Sequence, residues 1–168
     1  MKKLLLLSLA VITFLMSCSK DNPEVPEETK DKVIELELIY GEQYSNFGLN
    51  FSLQASSVTG LSNAFKIEGL NQDPQINDKN SKIYNLTLDK IPSKSITYRT
   101  SEQVSSFGAF FILTSENKDF NSLPVTLNFK IDGKTTATKN IVLKSTVDGF
   151  QGYVLDASQP TKLVETTK

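Results

Sequence analysis

The chain predicts an all-β fold, with two antiparallel sheets packed face to face as a sandwich. Three observations predict it. Short segments repeatedly alternate apolar and polar residues with period two, turn residues separate them about every ten to fifteen positions, and no segment of the body shows a convincing helical apolar spacing.

The elements follow in order. From Val33, Ile34, Leu36, Leu38 and Tyr40 share one face of a strand and Glu35 and Glu37 the other. Gly41 to Asn46 connects it to a second strand, in which Phe47, Leu49, Phe51 and Leu53 alternate with Asn50, Ser52 and Gln54. Phe65 and Ile67 mark a short third strand that Gly69 ends. Tyr84, Leu86 and Leu88 mark a fourth that stops before Pro92, and Ile96 and Tyr98 a fifth. Gly108 to Leu113 reads Gly-Ala-Phe-Phe-Ile-Leu, an apolar run too short for an ordinary helix, so a central strand covered on both faces is expected.

Val125, Leu127, Phe129 and Ile131 alternate with Thr126, Asn128 and Lys130, and Asp132-Gly133 signals a hairpin. A two-residue loop would set the apolar face against Thr136, Thr138 and Asn140. A three-residue loop would set it against the parity of Ala137, Ile141 and Leu143, and is expected because apolar should meet apolar. A last strand runs near Phe150 to Leu155, and the polar stretch 158–168 reads as a loose tail. Eight or nine such strands resemble the immunoglobulin-like sandwiches in general architecture, although the cysteine pair and core tryptophan of antibody domains are missing. A partly open barrel is the alternative.

The N-terminal segment obeys different rules. Lys2 and Lys3 precede an apolar run from Leu4 to Met16 that is too short to span a bilayer and has the form of an export leader. Leu15-Met16-Ser17-Cys18 closes it, and this tetrapeptide resembles the lipobox of bacterial lipoprotein precursors. The resemblance implies a signal peptide at 1–17, cleavage between Ser17 and Cys18, and acylation of Cys18, with palmitate among the chains. Two or three acyl chains anchor a protein persistently, which one does not. Cys18 is the sole cysteine, and a thioether-linked lipid leaves no free thiol in an oxidising compartment. Residues 18–32 carry Pro23, Pro26 and a high density of charge and read as a flexible tether, leaving 33–157 as the sandwich domain. Lys20 and Asp21 resemble the short charged signals that send some Gram-negative lipoproteins to the cell surface. The expected address is the cell envelope, at the outer membrane, with the bilayer itself as one partner.

Composition removes several function classes. The chain has no histidine, so neither a Ser-His-Asp nor a Cys-His arrangement can be built, and the imidazole of most zinc, copper and iron sites is missing. A net charge of −1 leaves no basic footprint for nucleic acid, and no cofactor motif is present. Ser115-Glu116-Asn117-Lys118 matches the Ser-x-x-Lys pattern of penicillin-recognising enzymes without their companion elements, and Gly133-Lys134-Thr135 is explained by a turn. Asp73, Asn77, Asp78 and Asn80 gather oxygen atoms in one loop, as Glu116 and Asp119 do in another, but in the vocabulary of turns rather than at any known cation-loop spacing. Asn85-Leu86-Thr87 fits a glycosylation acceptor only inside a strand.

These readings point to a non-catalytic, lipid-anchored accessory module that binds an envelope protein. Sandwiches place recognition on loops, so Asp73, Asn77, Asp78, Asn80, Ser105, Ser106 and Phe107 are the candidate partner residues. The alternative is capture of a glycan or small ligand, with Tyr40, Tyr44, Tyr84, Tyr98 and Tyr153 as the stacking platform in the absence of tryptophan. A histidine-free hydrolase would need two carboxyl groups, or a serine and a lysine, held together in a concave pocket.

Overall fold

A computed structural model of the chain describes residues 31–114, 121–145 and 150–167. Its strands are β1 (Ile34–Tyr40), β2 (Gly48–Ser56), β3 (Ile67–Glu68), β4 (Ile76–Asn77), β5 (Ser81–Leu88), β6 (Ser95–Thr100), β7 (Ser106–Thr114), β8 (Ser122–Ile131), β9 (Lys134–Lys144), β10 (Gln151–Asp156) and β11 (Leu163–Thr167). They form a five-stranded sheet in the order β3-β6-β1-β8-β9 and a six-stranded sheet in the order β11-β10-β7-β2-β5-β4. Every pairing is antiparallel. The two sheets stay separate rather than closing into a barrel, so the expected antiparallel sandwich is what forms.

Alternation explains why the sheets stack. Ile34, Leu36, Leu38 and Tyr40 of β1 and Leu123, Val125, Leu127 and Phe129 of β8 turn inward from one sheet, and all are buried. Leu49, Phe51, Leu53 and Ala55 of β2 and Phe107, Ala109, Phe111 and Leu113 of β7 meet them from the other. Each large side chain so buried contributes about 1.5–3 kcal/mol, and this shared layer holds the sheets together. On the outside of the five-stranded sheet most alternate residues are polar, with Ile39, Pro124 and Val142 the apolar exceptions. Lys130 Nζ bridges Glu35 and Glu37 at 2.8 and 3.3 Å. Hydrogen bonding from the Asn128 amide, with Lys130 adding its bond and its charge, holds the Glu37 carboxyl below the usual carboxylate range. Lys139 of β9 reaches Glu165 of β11 at 2.6 Å, an ion pair between the two sheets along one open side.

Several expectations need correction. The β8–β9 hairpin has a two-residue turn, not three: Ile131 faces Lys134, with Asp132 and Gly133 at φ values of 50° and 77°. Positive φ at both positions matches the right-handed twist of the flanking strands, which glycine accepts without strain. Phe129 nevertheless faces Ala137 and Val125 faces Ile141, the register expected on apolar grounds, because a bulge leaves Thr136 as an extra residue. The 158–168 tail is not wholly loose. Its residues 163–167 form β11, in which Leu163 packs against the core and Val164 pairs with Val154. Asp31 and Lys32, expected to belong to the tether, are held against the domain: Asp31 accepts from Ser57 and Ser105, and Lys32 exchanges backbone hydrogen bonds with Val104 at 2.9 and 2.8 Å. The expected signal peptide at 1–17, with Ser17, and Cys18 and the remainder of the expected tether lie outside the described residues. Finally, β7 is central in its sheet but not covered on both faces. Its outward Phe110 is half-buried and Ile112 is 52% exposed.

Candidate functional site: the outer face of the six-stranded sheet

The loop residues singled out from sequence fall into two groups, one tied into the domain and one exposed. Phe107 is fully buried in the core. Ser105 Oγ donates to the Asp31 carboxylate at 2.8 Å and accepts from the Val58 N–H at 2.9 Å. Ser57 Oγ also donates to Asp31, at 2.6 Å, and Ser106 opens β7 opposite Ser56. Asp73, Asn77, Asp78 and Asn80 are exposed. Asn77 Oδ1 accepts from the ammonium of buried Lys82, and the Asn80 amide donates to the Val58 carbonyl at 3.4 Å. Ser57 and Ser105 thus tie Asp31 to the loop ends, and the Asn77 and Asn80 side chains bond within the neighbouring turns. Ser115, Glu116, Lys118 and Asp119 lie outside the described residues. Among the described residues no three acidic or cysteine side chains are placed to hold a metal ion.

The tyrosines provide no platform either. Tyr40, Tyr84, Tyr98 and Tyr153 are all buried, and Tyr44 is half-buried with its ring centroid 6.5 Å from that of Tyr40. Among the described residues, accessible aromatic surface comes instead from the half-buried Phe110, in the strand expected to be covered on both faces, and from the half-buried Phe150.

The register of the six-stranded sheet gathers these phenylalanines. Phe110 lies between Ser52 and Gly152, and Ile112 lies beside Asn50, which in turn faces Thr87. A hollow of about 350 Å³ opens here, lined by Asn50, Phe51, Leu86, Thr87, Phe110, Ile112 and Phe150. Gly152 makes it possible: a Cβ at this position would come within 2.4 Å of the Phe110 ring, so only glycine lets that ring lie on the sheet. The Phe110 and Phe150 centroids are 6.4 Å apart with planes at 60°, a tilted pair. Among the described residues no charged side chain lines the hollow. Tracing the register outward through β2, β5, β7, β10 and β11, only Asp156 among the outward positions is charged, and it sits at the end of β10.

Polar neighbours behave differently inside and outside the hollow. Facing residues on the outer surfaces are usually hydrogen-bonded to each other: Ser52 to Asn85 at 2.6 Å, Thr126 to Asn140 at 2.8 Å and Thr138 to Asn128 at 2.9 Å. Asn50 and Thr87 also face each other, but no such bond joins them. Their amide and hydroxyl remain available at the rim of the aromatic hollow. A strand-by-strand reading could not have found this site, because its residues come from β2, β5, β7 and Phe150 just before β10.

No family model matches this chain, and no curated protein matches it. Three solved structures are similar in shape. One is a protein of the DUF4425 family from Bacteroides ovatus, with 15% identity and a TM-score of 0.46, covering 82% of this chain and 95% of that one. Another is a domain of unknown function, DUF4425, from Bacteroides vulgatus, with 10% identity and a TM-score of 0.46, covering 83% and 96%. The third is the calcium-bound form of a protein from Parabacteroides distasonis, with 10% identity and a TM-score of 0.47, covering 82% and 93%.

Proposed function

We propose that this protein is a lipid-anchored, non-catalytic binding module of the bacterial cell envelope, held at the outer membrane through acylated Cys18. Its binding surface is the outer face of the six-stranded sheet. The observation that carries the reading is the contrast between the two outer faces. One carries Glu35, Glu37, Arg99 and Lys130 with their ion pairs and exposes Val142 (47%), whereas the other has Asp156 as the single charged outward residue of β2, β5, β7, β10 and β11 and exposes Ile112 and Val164 (52% and 53%) as well as the Phe110–Phe150 hollow. An apolar hollow with a few polar groups at its rim is the usual character of a binding site.

Two experiments test the two halves of this reading. Cys18→Ser should abolish metabolic labelling by a palmitate analogue and leave a precursor that keeps its leader. Label retained on the variant would remove the anchor. For the binding surface, a photo-crosslinking residue placed at Ile112 in intact cells should trap an envelope component, whereas the same residue at Thr97, on the other outer face, should not. Equal trapping from both positions would show that the six-stranded face has no special role.

A further inference from the structure

Resting on the binding-module reading, we propose that the hollow between Phe110, Ile112 and Phe150 on one side and Asn50 and Thr87 on the other binds a neutral carbohydrate. The first argument is charge. A charged ligand would have to be desolvated against phenylalanine rings with no opposite charge among the described lining residues, which disfavours anionic glycans, nucleotides and acidic peptides. The second is the unpaired rim. Asn50 and Thr87 face each other without the hydrogen bond that joins Ser52 to Asn85 in the neighbouring row. An acyl chain or an aliphatic protein side chain seated here would strip water from both groups and return nothing to them. A sugar ring has the opposite make-up, with an apolar C–H face for the Phe110 and Phe150 rings and hydroxyls at its edge for an amide and a threonine hydroxyl. The third argument is support. The Phe110 ring lies over Gly152, in space that a Cβ would close to 2.4 Å, so the platform is placed before any ligand arrives. The volume of about 350 Å³ sits at the small end of the range for ligand sites, ~300–1,000 Å³, as suits one or two rings.

Isothermal titration of the full-length, detergent-solubilised protein tests this with maltohexaose, cellohexaose, xylohexaose and mannohexaose, and with oligogalacturonate as the anionic control. At least one neutral oligosaccharide should bind with a Kd of about 1 mM or tighter. Thr87→Val, isosteric and exposed, and Asn50→Ala should each weaken that binding by about tenfold at unchanged melting temperature. Ser52→Ala, outside the hollow, should leave it unchanged. Binding of the anionic oligomer alone, indifference to both rim variants, or no binding by any neutral oligomer overturns the proposal. A protein adduct from Ile112 without oligosaccharide binding refutes the carbohydrate and spares the binding module; the absence of both removes both.

Discussion

Raising the pH from about 10 to about 12 is expected to unfold the domain cooperatively, with tyrosinate absorbance and loss of β-sheet signal rising together. Burial pushes the Tyr98 hydroxyl up to about 12. Burial raises Tyr40 further, helped by the negative charge Tyr98 would acquire beside it. Tyr84 and Tyr153 move the same way, again chiefly through burial, with the carboxylates of Asp73 and Glu165 adding to it. Each folded-state value lies above the unfolded value near 10, so the native state holds protons that the unfolded state has released. Stability is therefore fully present below about pH 10 and is lost as the pH climbs through the folded values. For Tyr98 the displacement from 10 to about 12 corresponds to roughly 3 kcal/mol. Tyr40 adds to this loss. Its hydroxyl is buried without a hydrogen-bond partner, so Tyr40→Phe should cost little at neutral pH and should blunt the alkaline transition. With no histidine in the chain, stability should change little between about pH 6 and 9. Tyrosines that titrate near 10 while the sheet signal persists would contradict this account.

The same burial shows how far the sequence could be read. Strands with one clean apolar face, such as Ile34–Tyr40 and Phe47–Leu53, declare both their extent and their inward side, because period-two alternation is itself the consequence of a half-buried sheet. The hairpin register was also legible, since only one parity sets Phe129 against Ala137. The device that achieves it was not, because a bulge at Thr136 and a longer loop satisfy the same apolar pairing. Strand β11 was hidden by its composition: Leu163 turns toward the core while Val164, Glu165 and Thr166 are exposed, which reads as a polar tail until β10 is there to pair with.

The candidate site was illegible for a stronger reason. Gly108 to Leu113 carries apolar side chains at both parities, and from one strand alone that means cover on both sides. Only strand order shows that the outward neighbours of Ile112 are Asn50 and, beyond it, Thr87, so that its outer side borders a hollow instead of a second layer. Polar residues placed beside an exposed apolar strand distinguish a surface open to a ligand from a core awaiting a helix.

Phe51→Ala is expected to cost about 3–5 kcal/mol and to lower the melting temperature by roughly 10 °C, the largest effect of any single substitution considered. Phe51 is 3% exposed in β2. Its ring centroid lies 5.6 Å from that of Tyr98 in the opposite sheet and 6.1 Å from that of Phe111 on the neighbouring strand. Truncation therefore opens a cavity between the sheets and removes two aromatic contacts together, out of a total stability of about 5–15 kcal/mol. Asn50, its chain neighbour, points the other way. Asn50→Ala should move the melting temperature little, since surface changes usually stay within about 0.5 kcal/mol, and should act on ligand affinity instead. One residue of register thus separates stability from binding. Urea unfolding of both variants checks it: similar losses for the pair would mean that β2 does not present these two side chains to opposite faces, and the hollow would lose its rim.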